Sequence, residues 1–253
     1  MRKTAIALTL TAIFGTTCAS ADTLAGVYVG GQIWRTSTDA SVGNEGTNAS
    51  FTVDDESRGS VWVAFEHPVP VLPNLKLRYN RLDMDGFTRL TQNVVIGDEV
   101  FEAGADVTLK SDLDHLDVIF YYEVLDLDTA WLDVGINAKV GDFKIEATGV
   151  SETETYYADG SYNGAVPLLY AAGGVGLPFT GLGVFGELSG IAYSGNHLYD
   201  GQAGISWTFI DNVAIDVTAQ LGYRVFKLKG DDLDDINAEI EFNGGFLGLQ
   251  AHF

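Results

Sequence analysis

Cysteine, proline and basic residues are scarce in this chain, and each scarcity excludes something. The only cysteine of the 253 residues is Cys18. It falls inside an N-terminal segment that reads as a cleaved export signal: a basic Arg2-Lys3, an apolar run Thr4–Phe14, then a small-residue cleavage site Ala19-Ser20-Ala21. A mature chain starting at Asp22 has no thiol, hence no disulfide framework and no thiolate chemistry, even in an oxidising compartment. A lipoprotein alternative through Cys18 is opposed by Gly15-Thr16-Thr17, where a large aliphatic residue would be needed. No later apolar run approaches the ~18 residues of a transmembrane helix. With only 5 prolines, extended ladders can run long without losing backbone donors.

Basic residues number 14 against 35 acidic ones, a formal charge of −21. Loss of Arg2 and Lys3 leaves 12 against 35, or −23. Nucleic-acid binding is excluded, because phosphate neutralisation needs a basic surface.

What the chain does have is period-two alternation. In Val213–Leu228, Val213, Ile215, Val217, Ala219, Leu221, Tyr223 and Val225 share one face; Ala214, Asp216, Thr218, Gln220, Gly222 and Arg224 share the other. Leu116, Val118, Phe120, Tyr122 and Val124 oppose His115, Asp117, Tyr121 and Glu123, and Tyr199, Ala203, Ile205, Trp207 and Phe209 oppose Asp200, Gln202, Ser206 and Thr208. Such runs predict ten strands at Leu24–Thr36, Gly59–Pro68, Asn74–Asp85, Asp112–Val124, Thr129–Asp142, Ala165–Leu177, Leu182–Tyr193, Tyr199–Ile210, Val213–Leu228 and Ala238–Phe253. Merging weak strands gives eight. Within Gly86–Ser111, Asn93–Ile96 and Val100–Phe101 read as a hairpin standing above the membrane; if the segment instead conceals two more wall strands, the count is twelve.

Short turns (Val69–Pro73, Leu125–Asp128, Pro178–Gly181, Asp211-Asn212) alternate with longer, acidic loops (Ser37–Arg58, Gly86–Ser111, Phe143–Gly164, Ser194–Leu198, Lys229–Asn237). That arrangement predicts an all-β, closed, antiparallel, up-and-down transmembrane barrel over 22–253, with short periplasmic turns and longer extracellular loops. Apolar faces would meet lipid, and polar faces would line a narrow lumen. The charges predicted there are Glu66, Lys76, Arg78, Asp117, Glu123, Asp133, Lys139, Glu187, Asp216 and Arg224. Having both signs in a low-dielectric space, they must pair or stay hydrated; pairing predicts a salt-bridged plug, hydration a narrow cation-preferring pore. Trp34, Trp131, Trp207, Tyr79, Tyr193 and Phe253, near strand ends, read as interfacial girdle residues. Ile240 and Phe242 have the opposite parity to Leu247, Leu249 and Phe253, which predicts a phase-resetting bulge at Gly244-Gly245.

At this point the sequence resembles the small outer-membrane β-barrel proteins of Gram-negative bacteria. The residues that carry the resemblance are Ala19-Ser20-Ala21, the opening Gly26-Val27-Tyr28-Val29-Gly30-Gly31 and the closing Gly245-Phe246-Leu247-Gly248-Leu249-Gln250-Ala251-His252-Phe253. It implies residence in the outer membrane among lipopolysaccharide. It also implies that Leu247, Leu249, Ala251 and Phe253 form a signal for the barrel-assembly machinery, and it carries no catalytic residues.

Enzymatic readings find incomplete constellations. Asp83-Met84-Asp85 lies where an omptin-like protease places a carboxylate pair, but Asp114-His115 are contiguous and leave opposite faces of a strand. Ser194 and His197 lack a third orienting group for a lipid-modifying hydrolase. His67 and His252 read as interfacial, and His115 as a hydrogen-bonding lumen residue. The four histidines have no zinc-ligand spacing, so no metal or cofactor is expected. The acidic runs Asp54-Asp55-Glu56 and Asp231-Asp232-Leu233-Asp234-Asp235 read as solvated loops that attract divalent cations loosely. The expectation is therefore a monomeric, non-enzymatic barrel with a structural or surface-interaction role. A soluble lipocalin-like barrel, with its apolar faces inward, is the rival fold.

Overall fold

A computed structural model describes residues 25–44, 46–127, 129–152, 154–233 and 236–253. The export segment with Cys18 and the expected cleavage site, and Asp234-Asp235, lie outside the described residues. The alternating sequence forms strands, and there is no helix among the described residues. The strands are β1 (Gly26–Asn44), β2 (Thr47–Val53), β3 (Glu56–Glu66), β4 (Asn74–Asn80), β5 (Asp83–Arg89), β6 (Val94–Ile96), β7 (Glu99–Phe101), β8 (Asp106–Asp112), β9 (His115–Leu127), β10 (Ala130–Val150), β11 (Thr155–Gly176), β12 (Leu182–Tyr193), β13 (Asn196–Asn212), β14 (Ile215–Leu233) and β15 (Ile236–His252).

Ten of them close a ring in the order β1-β3-β4-β9-β10-β11-β12-β13-β14-β15, every neighbour antiparallel. The seam joins β1 to β15 from Tyr28↔His252 to Gly43↔Asn237, and Val27 and Phe253 exchange backbone hydrogen bonds of 3.1 and 3.0 Å. A closed ring leaves no sheet edge at this level.

The other five strands lie in what alternation marks as loops. At the end opposite the short turns, β2, β5 and β8 continue the wall between β1 and β10. β1, β10, β11 and β14 themselves run well beyond their expected ends, to Asn44, Val150, Thr155 and Leu233. The acidic loops Ser37–Arg58, Phe143–Gly164 and Lys229–Asn237 are thus mostly strand. The hairpin β6–β7 folds into the long-strand end, with Val94, Ile96 and Phe101 almost fully buried. Asn44 clips it to β1: its Nδ2 donates to the Gly97 carbonyl at 2.9 Å, and its Oδ1 accepts from the Gly97 N–H at 3.2 Å.

The two ends bury opposite kinds of residue. Toward the short turns, apolar side chains face out: Ile33, Val61, Leu169, Val184 and Leu247 form an exposed belt. Toward the long strands, apolar side chains face in: Trp34, Val42, Leu109, Phe226, Ile240, Phe242 and the β6–β7 residues form one buried cluster. No bulge reverses the side chains. The β1–β15 register passes Gly244 and Gly245 without a shift, so the expected bulge is absent. Parity in β15 is constant and the character of the outward face changes: it is apolar at Leu247 and Leu249 and acidic at Glu239 and Glu241. Gly244 is required for a different reason, since a Cβ there would collide with the Arg35 carbonyl.

Candidate functional site: a charged network across the lumen

Below the apolar cluster, inward positions of six strands converge. β4 supplies Lys76, Arg78 and Asn80; β9 supplies His115 and Asp117; β10 supplies Asn137 and Lys139. β12 adds Glu187 and Ser189, β13 adds Asp200 and β14 adds Arg224. Each strand offers every second residue to the same space, so side chains distant in sequence meet without any loop.

Asp117 and Asp200 are the two hubs. Asp117 accepts from Arg78 Nε at 3.0 Å, Lys139 Nζ at 2.9 Å, Asn80 Nδ2 at 2.8 Å and Asn137 Nδ2 at 3.0 Å. Asp200 accepts from Lys139 Nζ at 2.9 Å and from Arg224 through Nε at 2.8 Å and Nη2 at 2.7 Å. Glu187 bridges Arg78 (2.6 Å) and Lys76 (2.8 Å). Four cations thus face three carboxylates, and the Lys139, Asp117 and Arg224 side chains have no solvent exposure. Charges so placed are tolerated only because nearly every lone pair and proton is used. Aromatic faces cover the remaining sides of the cations: Arg224 lies 5.0 Å from the Trp34 ring centroid and Lys139 5.5 Å from that of Phe226.

Of the ten lumen charges expected from sequence, Lys76, Arg78, Asp117, Lys139, Glu187 and Arg224 meet in this network. Glu66, Glu123 and Asp133 lie nearer the short turns, where Tyr121 donates to Glu66 at 2.7 Å and Asn74 to Glu123 at 3.3 Å. Asp216 stands apart at the rim, 3.5 Å from His252. Asp200 belongs to the network and is missing from the expected charges, although its place on the face of Gln202, Ser206 and Thr208 signals it. Trp34 is not an interfacial residue: it is 1% exposed and lies beneath Arg224. Trp131, Trp207, Tyr79 and Phe253 are exposed.

His115, Asp117 and Asp200 bring three potential metal-ligand atoms within 4.8 Å of one another. The Lys139 ammonium fills the centre of that set, 3.0 Å from His115 Nε2, so the donor set is satisfied by an internal cation and does not fit a metal ion. Above the belt, Lys227 lies 2.7 Å from Glu239 and 3.1 Å from Glu241, and its hydrogen bond lowers the Glu239 pKa.

The catalytic candidates do not assemble. Asp83 pairs with exposed Arg81 at 2.9 Å, Met84 turns into the apolar cluster, and Asp85 lies opposite Lys110. No hydrogen bond joins Ser194 to His197 among the described residues; His197 stacks on Tyr199 at 5.4 Å. His67 ties its own turn to Pro73 and Val69, and His252 stacks on Tyr28 at 4.1 Å.

No model of a known protein family matches the sequence, and no curated protein matches it. Among solved structures, the chain is similar to the outer membrane protease OmpT from Escherichia coli, with a TM-score of 0.53 at 11% identity over 92% of this chain and 98% of that one. Neisserial surface protein A matches 88% of this chain and 95% of its own length with a TM-score of 0.32 at 9% identity. The Pseudomonas putida toluene transporter TodX matches 90% and 89% with a TM-score of 0.34 at 8% identity. Of these three, the first alone exceeds one half, and at that identity it speaks for the fold. The fold is that of an outer-membrane β-barrel.

Proposed function

We propose that this chain is an integral outer-membrane barrel with a closed lumen, serving a structural or surface-interaction role. In this reading the short turns and both chain ends face the periplasm, and the extended strands with the β6–β7 hairpin stand outside the cell. The observation that carries it is the Arg78–Asp117–Lys139–Asp200–Arg224 chain of contacts, which links strands on opposite sides of the ring. The apolar cluster and the β6–β7 hairpin add a second closure above it. A barrel of ten strands is only slightly wider than one filled by side chains alone, which supports the reading that two layers of packed residues shut the lumen to hydrated ions.

Enzymatic activity is not part of this reading. Asp83 pairs with Arg81, Asp85 faces Lys110 only as a ladder neighbour, and no histidine hydrogen-bonds to either among the described residues; holding a water for attack needs a carboxylate and an imidazole together. Outer-membrane lipid and lipopolysaccharide are the proposed surroundings. The barrel-assembly machinery would read Leu247, Leu249, Ala251 and Phe253, and divalent cations would associate loosely with the acidic exterior. A monomer is proposed because the ten-strand ring closes on itself at the level of the apolar belt and leaves no edge there to pair.

The test is single-channel conductance of refolded Asp22–Phe253 in a planar bilayer, with folding confirmed by a heat-dependent shift on a denaturing gel. A folded, silent barrel supports the closed lumen. Reproducible cation-selective steps overturn it in favour of a narrow pore, for which the acidic mouth of Glu66, Glu123 and Asp133 would set the selectivity.

A further inference from the structure

The barrel wall is incomplete at one level. The β11–β12 ladder stops at Leu169↔Gly190, whereas β11 continues to Thr155 paired only with β10. Pro167 sits at the stopping point and has no N–H to offer β12. β12 and β13 end in a two-residue turn at Ser194-Gly195, both residues with positive φ, a tight connection that matches strand twist. On the far side β14 runs on, paired with β15 through Gly230↔Ala238. Above the β12–β13 tip, β11 and β14 approach each other without forming a ladder.

The inner face of β11 records the window directly. Tyr156 and Ala158 are buried at one end and Leu168, Tyr170 and Ala172 at the other. Between them the same face is open: Tyr162 is 47% exposed and Val166 half-buried. Across the gap, Ile191 and Tyr193 share a face with the buried Ser189, yet they are 41% and 81% exposed. Phe143 stacks against Tyr162, and Leu228 packs on the apolar cluster behind them. These residues have lumen parity, so they are not girdle residues, which face outward.

Chemistry and position both identify an occupant. In a chain with 35 acidic residues, Ser161–Leu169 and Leu188–Asn196 contain no Asp, Glu, Lys or Arg. The sill of the window is continuous with the apolar belt, through Leu169 (74% exposed) on β11 and Leu188 on β12. A hydrocarbon chain in the adjoining leaflet could bend over this sill and cover Tyr162, Val166, Ile191 and Tyr193 without crossing a charged surface. We propose that the window between β11 and β14 docks one acyl chain of an outer-leaflet lipid. This rests on the reading that the belt is embedded in a bilayer.

The test places the photo-crosslinking residue benzoylphenylalanine singly at Leu169 (belt), Tyr162 and Val166 (window) and Phe242 (buried cluster). Each variant is refolded into vesicles of phosphatidylethanolamine and phosphatidylglycerol, irradiated and analysed by mass spectrometry. The expected result is a lipid adduct at Tyr162 and Val166 in a yield comparable to Leu169, with background at Phe242. If Tyr162 does not tolerate the substitution, the half-buried Val166 carries the test. Lipid adducts at Leu169 alone overturn the window proposal and leave the membrane reading intact. Chain-to-chain adducts at the window, with lipid at Leu169, also overturn it, in favour of a second copy as occupant. Absence of lipid adducts at Leu169 as well overturns the membrane reading itself.

Discussion

Arg224 grips Asp200 through two nitrogens, Nε to Oδ1 at 2.8 Å and Nη2 to Oδ2 at 2.7 Å, with both side chains shut off from solvent. The paired geometry uses both carboxylate oxygens and fixes the guanidinium plane over Trp34. Arg224→Met is expected to destabilise the barrel by about 3 kcal/mol or more, because it strands part of a buried carboxylate charge. Asp200→Asn should also destabilise, by leaving Arg224 and Lys139 short of an acceptor. The double variant should cost clearly less than the two single costs together. Urea unfolding in lipid vesicles measures all three; additive costs would show that the pair is not coupled.

The reversal of facing along β15 makes a second prediction. Phe242 is buried in protein, and Leu247 on the same strand is 68% exposed on the belt. Phe242→Ala leaves a cavity that surrounding side chains cannot fill, at a cost of about 3–5 kcal/mol. Leu247→Ala removes a contact that lipid can replace, and should cost far less. Conversely, Leu247→Ser should slow insertion while Ser41, outward on the far half of β1, tolerates most polar residues. Equal losses for Phe242→Ala and Leu247→Ala would contradict the assignment of the two environments.

The same reversal explains what was legible in the sequence. Alternation reports two faces and does not report which face meets water. Where the outward face is apolar, runs such as Leu116–Val124 identify the wall, the ten-strand ring and the charged lumen. In the far half, outward residues such as Asp39 and Ser41 are polar and inward ones such as Ala40 and Val42 are small and apolar. That pattern is shared with a solvated loop, so the extensions and β2, β5 and β8 do not stand out. The β6–β7 hairpin is visible as Asn93–Ile96 and Val100–Phe101, but its inward fold depends on Asn44, far away in sequence. Asp200 is legible by the same rule, lying on the polar face with Gln202, Ser206 and Thr208; only its partners depend on where β10 and β14 place Lys139 and Arg224.

Gly244 yields a third prediction. A Cβ there meets the Arg35 carbonyl, part of the β1 backbone rather than a flexible side chain. Gly244→Ala must therefore push β1 and β15 apart at the seam that closes the ring. The expected outcome is a lower fraction of heat-resistant folded barrel and faster amide exchange at 33–38. Gly59→Ala serves as the control, since a Cβ at Gly59 reaches only ordinary van der Waals contact with Gln32. Indistinguishable folding of the two variants would argue against close approach at the seam.

The two closures of the lumen should be separable. Asn44 holds the hairpin by two hydrogen bonds to Gly97, each worth about 1 kcal/mol net. Asn44→Ala should raise amide exchange across 94–101 while leaving exchange in β13 and β14 unchanged. Conductance should stay at zero in this variant, because the Asp117–Lys139–Asp200 contacts lie below the hairpin and do not depend on it. Lys139→Ala alone should also remain silent, since the β6–β7 hairpin and its apolar neighbours still cover the lumen. Only the combined Asn44→Ala, Lys139→Ala variant is expected to conduct, intermittently, when the loosened hairpin lifts above a network that has lost its central cation. Conductance from Asn44→Ala alone would mean that the charged network does not seal the barrel, and that the hairpin is the gate.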